Sequence, residues 1–274
     1  MKHKPAIVSV GLSLLLLAGC AISPALYAQQ SVERQTISAT RQTVGEATQT
    51  EELTSAEETT RPPETAPEMT QAALSSPEDA FSYCGLVDLF SVDDSFFLDQ
   101  KYATEDNFTG VAHYDRTLCL VQKDILPMLI RANDAAKAYG YRIKIWDAYR
   151  PISVQQALSD SAPPELQAYV PGPSPYSMHA RGITVDVTLC DPWGNNLDMP
   201  TDFDDFSPAA HRDYGGATQT QIDNRELLIS IMTDAGFTVS GLEWWHFDGP
   251  NRDSYEILDV SFGEFEAARD AAED

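Results

Sequence analysis

Residues 177–189 read Ser177-Met178-His179-Ala180-Arg181-Gly182-Ile183-Thr184-Val185-Asp186-Val187-Thr188-Leu189. From Gly182 onward, β-branched residues alternate in the manner of a strand. His179 then precedes that strand and Asp186 lies on it. Their spacing is not the i, i+4 arrangement of two ligands on one helix face, so both meet one ion only if the chain turns at Gly182. Alone, the pair reads equally well as a loop histidine and a strand-edge carboxylate. A second segment, Glu243-Trp244-Trp245-His246, changes the balance. Two imidazoles and a carboxylate, His179, Asp186 and His246, are the ligand set of a catalytic zinc whose fourth position is left to water. Glu243, three residues before the last ligand, then becomes a general base. Residues three apart on a strand point to opposite faces, so a turn or bulge must bring both inward. The bland alternative is an exposed carboxylate beside a core histidine packed by Trp244, Trp245 and Phe247.

Outward from these segments, the chain alternates helices and strands of unequal length. Ile125, Leu126, Leu129, Ile130, Ala132, Ala136 and Tyr139 recur at helical spacing, and Gly140 closes that helix. Tyr141 to Asp147 alternates as a strand and exits at Arg150-Pro151, since Pro151 cannot continue a central strand. A helix around Ser153 to Leu158 follows, then a Pro-rich loop, Pro163 to Pro175. Asp223 to Ala235 is another helix, stopped by Gly236, and Phe237–Val239 and Leu242–Phe247 form a last strand region. Leu86–Leu89 is a short strand. Without a regular βαβ rhythm the pattern predicts an α+β fold, a single domain with a central, mostly antiparallel sheet flanked by helices.

Four stretches are expected. Residues 1–20 read as a lipoprotein signal: Lys2 and Lys4, an apolar run from Ile7 to Ala18, and Leu17-Ala18-Gly19-Cys20, which resembles a bacterial lipobox with Cys20 as the lipidated residue. That run is too short for a comfortable membrane span. Cleavage further on, after Ala28, is the alternative. Residues 21–80, rich in Thr, Glu and Pro, bury too little apolar surface to order themselves and read as a solvated tether. Residues 81–263 form the folded, catalytic part, and 264–274 an acidic, frayed tail. The expected setting is export, with a membrane-anchored lipoprotein facing the periplasm or cell exterior. In that oxidising compartment Cys84, Cys119 and Cys190 would hold one disulfide, of undetermined pairing. The 42 acidic against 18 basic residues, net charge −24, argue against nucleic acid or anionic lipid as a bulk electrostatic partner.

The set Ser177-x-His179-x-x-Gly182-x-x-x-Asp186 with Glu243-Trp244-Trp245-His246 resembles the zinc-dependent D-alanyl-D-alanine dipeptidases, the VanX-like branch of the D,D-peptidase/hedgehog metallopeptidases. Tyr102-Ala103-Thr104, Asn107-Phe108-Thr109-Gly110, Trp146-Asp147-Ala148-Tyr149-Arg150-Pro151, Leu197 to Asp204 and Asn224-Arg225 agree in the same order, over roughly Phe81 to Phe262. Thr184 stands where the family usually has Ala or Ser, and Pro200 where Gly is common. The resemblance implies one zinc per chain on His179, Asp186 and His246, Glu243 as general base and acid, and Arg150 at the oxyanion of the tetrahedral intermediate. It further implies Asp204 near the substrate ammonium and Ser177 hydrogen-bonding substrate. The implied activity is hydrolysis of D-Ala-D-Ala in cell-wall metabolism, in glycopeptide resistance or dipeptide recycling. A D,D-carboxypeptidase of peptidoglycan stem peptides and a non-catalytic wall-peptide binding module are the alternatives.

Overall fold

The computed structural model describes residues 74–167 and 169–273. The expected signal, Cys20 and most of the expected tether lie outside the described residues. Ordered packing begins before Phe81, because Ser75 N–H donates to Ser91 O and Ala80 is buried. No helix among the described residues is long and apolar enough to cross a membrane.

Two sheets organise the described chain. Strands β1 (Leu86–Asp88) and β3 (Leu120–Gln122) form an antiparallel pair. The larger sheet has five strands. It uses β2 (Phe97–Leu98), β4 (Arg142–Asp147), β5 (Thr184–Cys190), β6 (Thr238–Val239) and β7 (His246–Asp248), in the order β2-β4-β5-β7-β6. Only the β2–β4 pairing is parallel. The helices are α1 (Leu126–Ala138), α2 (Ile152–Ser161), α3 (Gln219–Asp234) and α4 (Phe262–Glu273). Helix α1 packs on β4 and on α3, and α3 packs on β5. The fold is α+β, as the sequence pattern predicts.

Local chemistry explains the elements that matter for the site. Helix α1 buries Leu126, Leu129, Ala132 and Ala136 on one stripe, and Gly140 ends it at φ +83°, a conformation that suits a residue without Cβ. Buried Asn133 accepts from Ile143 N–H with its Oδ1, 3.0 Å, and so pins α1 to β4. In β5, Val185, Val187 and Leu189 enter the main hydrophobic core, so the period of two turns Thr184, Asp186 and Thr188 to the other face. Strand β4 would by the same period point Asp147 into the core with Ile143 and Ile145. A bulge at Trp146 prevents this: Ile145 pairs with Val187, and Asp147 pairs with Asp186.

Two expectations are corrected. The acidic end is a helix rather than a frayed tail. Acidic α4 is anchored by Phe262 and Phe265, each at most 2% exposed, within a second apolar cluster with Tyr114 and Tyr149. Burial of those two rings outweighs the fraying that composition suggests. No disulfide forms among the described residues: Cys84 is an exposed free thiol, and Cys119 and Cys190 are buried free thiols. Burial pushes both buried thiols above the usual range, Cys190 to about 11, so they behave as small apolar residues.

Candidate metal centre and cleft

His179 sits in a one-turn 3-10 segment, His179–Arg181, that ends at Gly182 with φ +71°. A Cβ on Gly182 would stand 2.6 Å from Leu86 Cδ2, so glycine is required both for the turn and for the close approach. The turn carries the chain from His179 directly into β5. There Asp186 is flanked by Asp147 on β4 and by His246 on β7. Glu243 precedes β7 across a turn in which His246 N–H reaches Glu243 O at 3.4 Å. That turn lets two side chains three apart face one site, while Trp244 and Trp245 between them are almost fully buried.

The three expected ligands converge. One ligand atom from each of His179, Asp186 and His246 lies within 4.8 Å of the others. His179 Nε2 is 3.3 Å from Asp186 Oδ2, and His246 Nδ1 is 3.0 Å from Asp186 Oδ1. Each imidazole has its far nitrogen committed, His179 Nδ1 to Ala148 O at 2.7 Å and His246 Nε2 to Asp248 Oδ1 at 3.2 Å. Such outer contacts fix each ring's orientation and aim its inner nitrogen at the shared point, where a bound metal would take the place of a proton. Asp248 is itself held by Thr184 Oγ1–H at 2.7 Å, which gives the unusual Thr184 a task. Asp186 Oδ1 is buried and, beyond its 3.0 Å approach to His246 Nδ1, has no aligned hydrogen-bond donor. Burial acts to raise the Asp186 carboxyl, but the neighbouring His179 and His246 outweigh it and hold the group well below the usual carboxylate range. An orphaned anionic oxygen between two oriented imidazoles fits a divalent cation such as zinc.

Around these ligands lies a cleft of about 180 Å³, lined among others by Tyr102, Arg150, Ser177, Asp204, Glu243 and Trp245. Glu243 Oε2 stands 3.8 Å from His246 Nδ1, and burial raises its carboxyl above the usual value. Arg150 is buried and held on three sides. Nε and Nη2 meet Asp147 Oδ2 at 2.8 and 2.7 Å, Nη1 donates to Gln155 Oε1 at 2.7 Å, and the guanidinium lies 4.8 Å from the Tyr102 ring centroid. Its Nη2 is also 3.7 Å from Asp186 Oδ2. Burial would lower the Arg150 pKa, but Asp147, Tyr102 and Tyr114 more than offset it, so the cation is retained. Asp204 accepts from Tyr102 O–H at 3.1 Å, and its other oxygen is buried without a partner. Burial pushes the Asp204 carboxyl up to about 8. Ser177 lines the cleft while its Oγ accepts from Ser174 N–H at 3.0 Å.

All seven expected site residues within the described chain therefore line one cleft. The match to known families agrees with that geometry: residues 82–267 match the family described as Peptidase_M15, D-ala-D-ala dipeptidase. The chain belongs to this peptidase family. Curated members align with it at 30% identity or more. A D-alanyl-D-alanine dipeptidase of Escherichia coli (strain K12) is 37% identical over 180 residues, 66% of this chain and 92% of the relative. Those of Enterococcus faecalis (strain ATCC 700802 / V583) and Enterococcus faecium are 34% and 32% identical, covering 60% and 57% of this chain and 92% and 89% of theirs. The chain is thus a peptidase of the VanX-like D-Ala-D-Ala dipeptidase type, a hydrolase of peptide bonds.

Within this dipeptidase site the sequence left several residues without roles. Asp147 is wholly buried, takes Arg150 on Oδ2, and accepts Tyr114 O–H on Oδ1 at 2.8 Å. Tyr102 touches both Arg150 and Asp204, and Asp248 orients His246. Asp248 was findable, since residues two apart on a strand share a face. Asp147 was not, because only the bulge brings it round. His113 and His211 stay outside the ligand group and meet Thr109 Oγ1 and Tyr169 O–H instead.

Proposed function

We propose that the chain is a zinc-dependent dipeptidase that hydrolyses D-alanyl-D-alanine in cell-wall metabolism. The observation that carries this reading is the convergence of His179, Asp186 and His246 beside Glu243 and Arg150 in one small cleft. Its volume falls below the roughly 300–1,000 Å³ of pockets for drug-sized ligands, which suits a dipeptide. His179 Nε2, an Asp186 oxygen and His246 Nδ1 would hold the zinc, which when bound supplies Lewis acidity toward the scissile carbonyl and acidifies water.

This chain's own groups do the rest. The Glu243 carboxylate takes a proton from the attacking water as the new C–O bond forms. Its burial-raised basicity suits it to keep that proton and deliver it to the leaving amine as the C–N bond breaks. Arg150, locked by Asp147 and Gln155, presents Nη2 toward the oxygen on which charge develops, with no reorganisation during the step. Asp204, whose carboxyl is pushed up to about 8 by burial before substrate enters, would be drawn into its ionised form by the substrate ammonium it faces, and the Ser177 hydroxyl retains its proton for donation to substrate.

A panel of D,D-, L,D- and L,L-dipeptides with one stem pentapeptide, with and without chelator, tests the reading. D-Ala-D-Ala is the expected substrate, with activity lost on chelation and restored by zinc. Glu243→Gln is expected to lower kcat by about 10²–10⁴ while retaining one zinc per chain. Release of D-Ala from the pentapeptide with free dipeptide untouched would make the enzyme a carboxypeptidase. For the setting, Lys2, Lys4, the apolar run and Leu17-Ala18-Gly19-Cys20 support an exported, lipid-anchored protein. Mass spectrometry of the mature N-terminus is expected to find acylated Cys20, and an unmodified start at Gln29 would contradict that.

A further inference from the structure

Two walls of the cleft must keep a fixed spacing for the chemistry to work. One carries Arg150, and the other is the rim segment 171–177, from which Pro171, Ser174, Tyr176 and Ser177 line the space. Gln155 stands between them, in the first turn of α2 and only 7% exposed. Its Oε1 accepts from Arg150 Nη1 at 2.7 Å, and its Nε2 donates to Pro171 O at 2.7 Å. A guanidinium only donates and a carbonyl only accepts, so the amide is held in one orientation.

The rim is built to move as a unit with that bond. Pro171, Pro173 and Pro175 fix φ at every second position. Upstream the chain is seated on α2: Val170 is buried in the second apolar cluster, and Gln167 Nε2 donates to Ser159 O and Ala162 O, each at 2.9 Å. Downstream, Arg181 Nη2 donates to Pro175 O at 2.7 Å. Inside the rim, Ser174 N–H meets Ser177 Oγ and Ser177 N–H meets Ser174 O, both at 3.0 Å, while Tyr176 N–H meets Ser174 Oγ at 3.1 Å. The seat of this turn therefore depends on where Pro171 is held.

Asp147 occupies Nε and Nη2 of Arg150, which leaves Nη1 to Gln155. That place calls for an acceptor and a donor in one neutral side chain. Glutamate has no N–H for Pro171 O and would set a second carboxylate on Arg150. Methionine, of similar length, would leave two buried polar groups without partners.

We propose that Gln155 is a positioning residue that couples the two walls: its amide sets the Arg150 guanidinium and the Ser177 rim at one separation. The inference rests on the dipeptidase reading and deepens it. Through Arg150 it governs turnover, and through Pro171 it governs how the rim meets substrate.

The test compares the zinc-loaded parent with Gln155→Met, Gln155→Glu, Arg150→Lys and the Gln155→Met/Arg150→Lys double variant. Hydrogen exchange follows the amides of Ser174, Tyr176 and Ser177, with those of β5 as internal reference. Gln155→Met is expected to speed rim exchange by roughly tenfold or more and to leave β5 unchanged. On D-Ala-D-Ala it is expected to lower kcat by roughly tenfold or more and to raise KM by roughly threefold. Gln155→Glu keeps the acceptor and loses the donor, so rim exchange should quicken as much, and this variant decides the matter if Gln155→Met fails to fold. In the Arg150→Lys background the kcat loss from Gln155→Met should shrink below roughly threefold, because a residue that acts through Arg150 has little left to act on. The proposal is overturned if, at parental zinc content, the rim amides exchange as in the parent, or if the kcat loss carries over undiminished to the Arg150→Lys background. A parent inactive on the dipeptide would instead remove the dipeptidase reading, and exchange of the rim amides would still decide whether Gln155 holds the rim.

Discussion

Asp204 combines a carboxyl pushed up to about 8 by burial with a position beside Asp186 and Arg150, the first adding to the shift and the second opposing it. In the metal-free fold it keeps its proton at pH values where an unfolded aspartate, with a pKa of about 3.9, has lost it. The folded state therefore binds one more proton than the unfolded state between pH about 4 and about 8. Stability from this group is fully present below that window and is lost as pH rises through it. Asp204→Asn removes the dependence. Urea midpoints of the chelated proteins are expected to diverge in favour of Asp204→Asn from pH 5 to pH 8 and to run parallel above pH 9. Parallel curves throughout would show that Asp204 is not a buried acid. At this scale the sequence was most legible where the chemistry is stereotyped: His179, Asp186, Glu243 and His246 are residue types with few other reasons to occur in those contexts. The partners that orient them were harder to read. Asp147, Asp248 and Tyr102 acquire meaning only from what stands opposite, and side-chain apposition across strands is not written in local spacing.

Among the elements, the turn at Gly182 and helix α4 are the parts most open to test. Gly182→Ala asks a residue with Cβ to hold φ +71° and brings that Cβ to 2.6 Å from Leu86. The left-handed conformation alone costs about 1–2 kcal/mol. The variant is therefore expected to lose at least that in urea unfolding and also to hold zinc less tightly, since His179 lies three residues before it. Unchanged zinc affinity by competition with a chromogenic chelator would argue that the turn does not position the ligand. Phe265→Ala is expected to cost about 3–5 kcal/mol, the range for a buried phenylalanine. A loss under 1 kcal/mol would mean α4 adds little to the domain. Helix boundaries follow the same lesson as the residues. Helix α3 begins four residues ahead of the Asp223 expected from apolar spacing, because Thr218 and Gln221 form a capping box, a short-range signal that the apolar count passes over. Helix α4 was hidden because its two aromatic anchors are outnumbered by charge.

For the molecule as a whole, the free thiols make a plain prediction. If the domain holds no disulfide, millimolar reductant leaves its Tm unchanged, whereas a lost disulfide would lower stability by about 2–4 kcal/mol. The sequence predicted α+β, the mostly antiparallel sheet and the order of elements along the chain. It did not reveal that β7 lies between β5 and β6, since strand order depends on pairings between distant segments. That strand order also has a kinetic side. The sheet row that carries Asp147, Asp186 and His246 is assembled from three widely separated parts of the chain, and the last ligand arrives on a strand inserted beside β5. Such non-local pairing closes slowly. A growing chain that has exposed His179 and Asp186 holds only part of a metal site, and tight capture waits for β7 to dock. Metal loading would then act as a final check on assembly: only a chain whose sheet is complete would gain the stability that a bound metal confers.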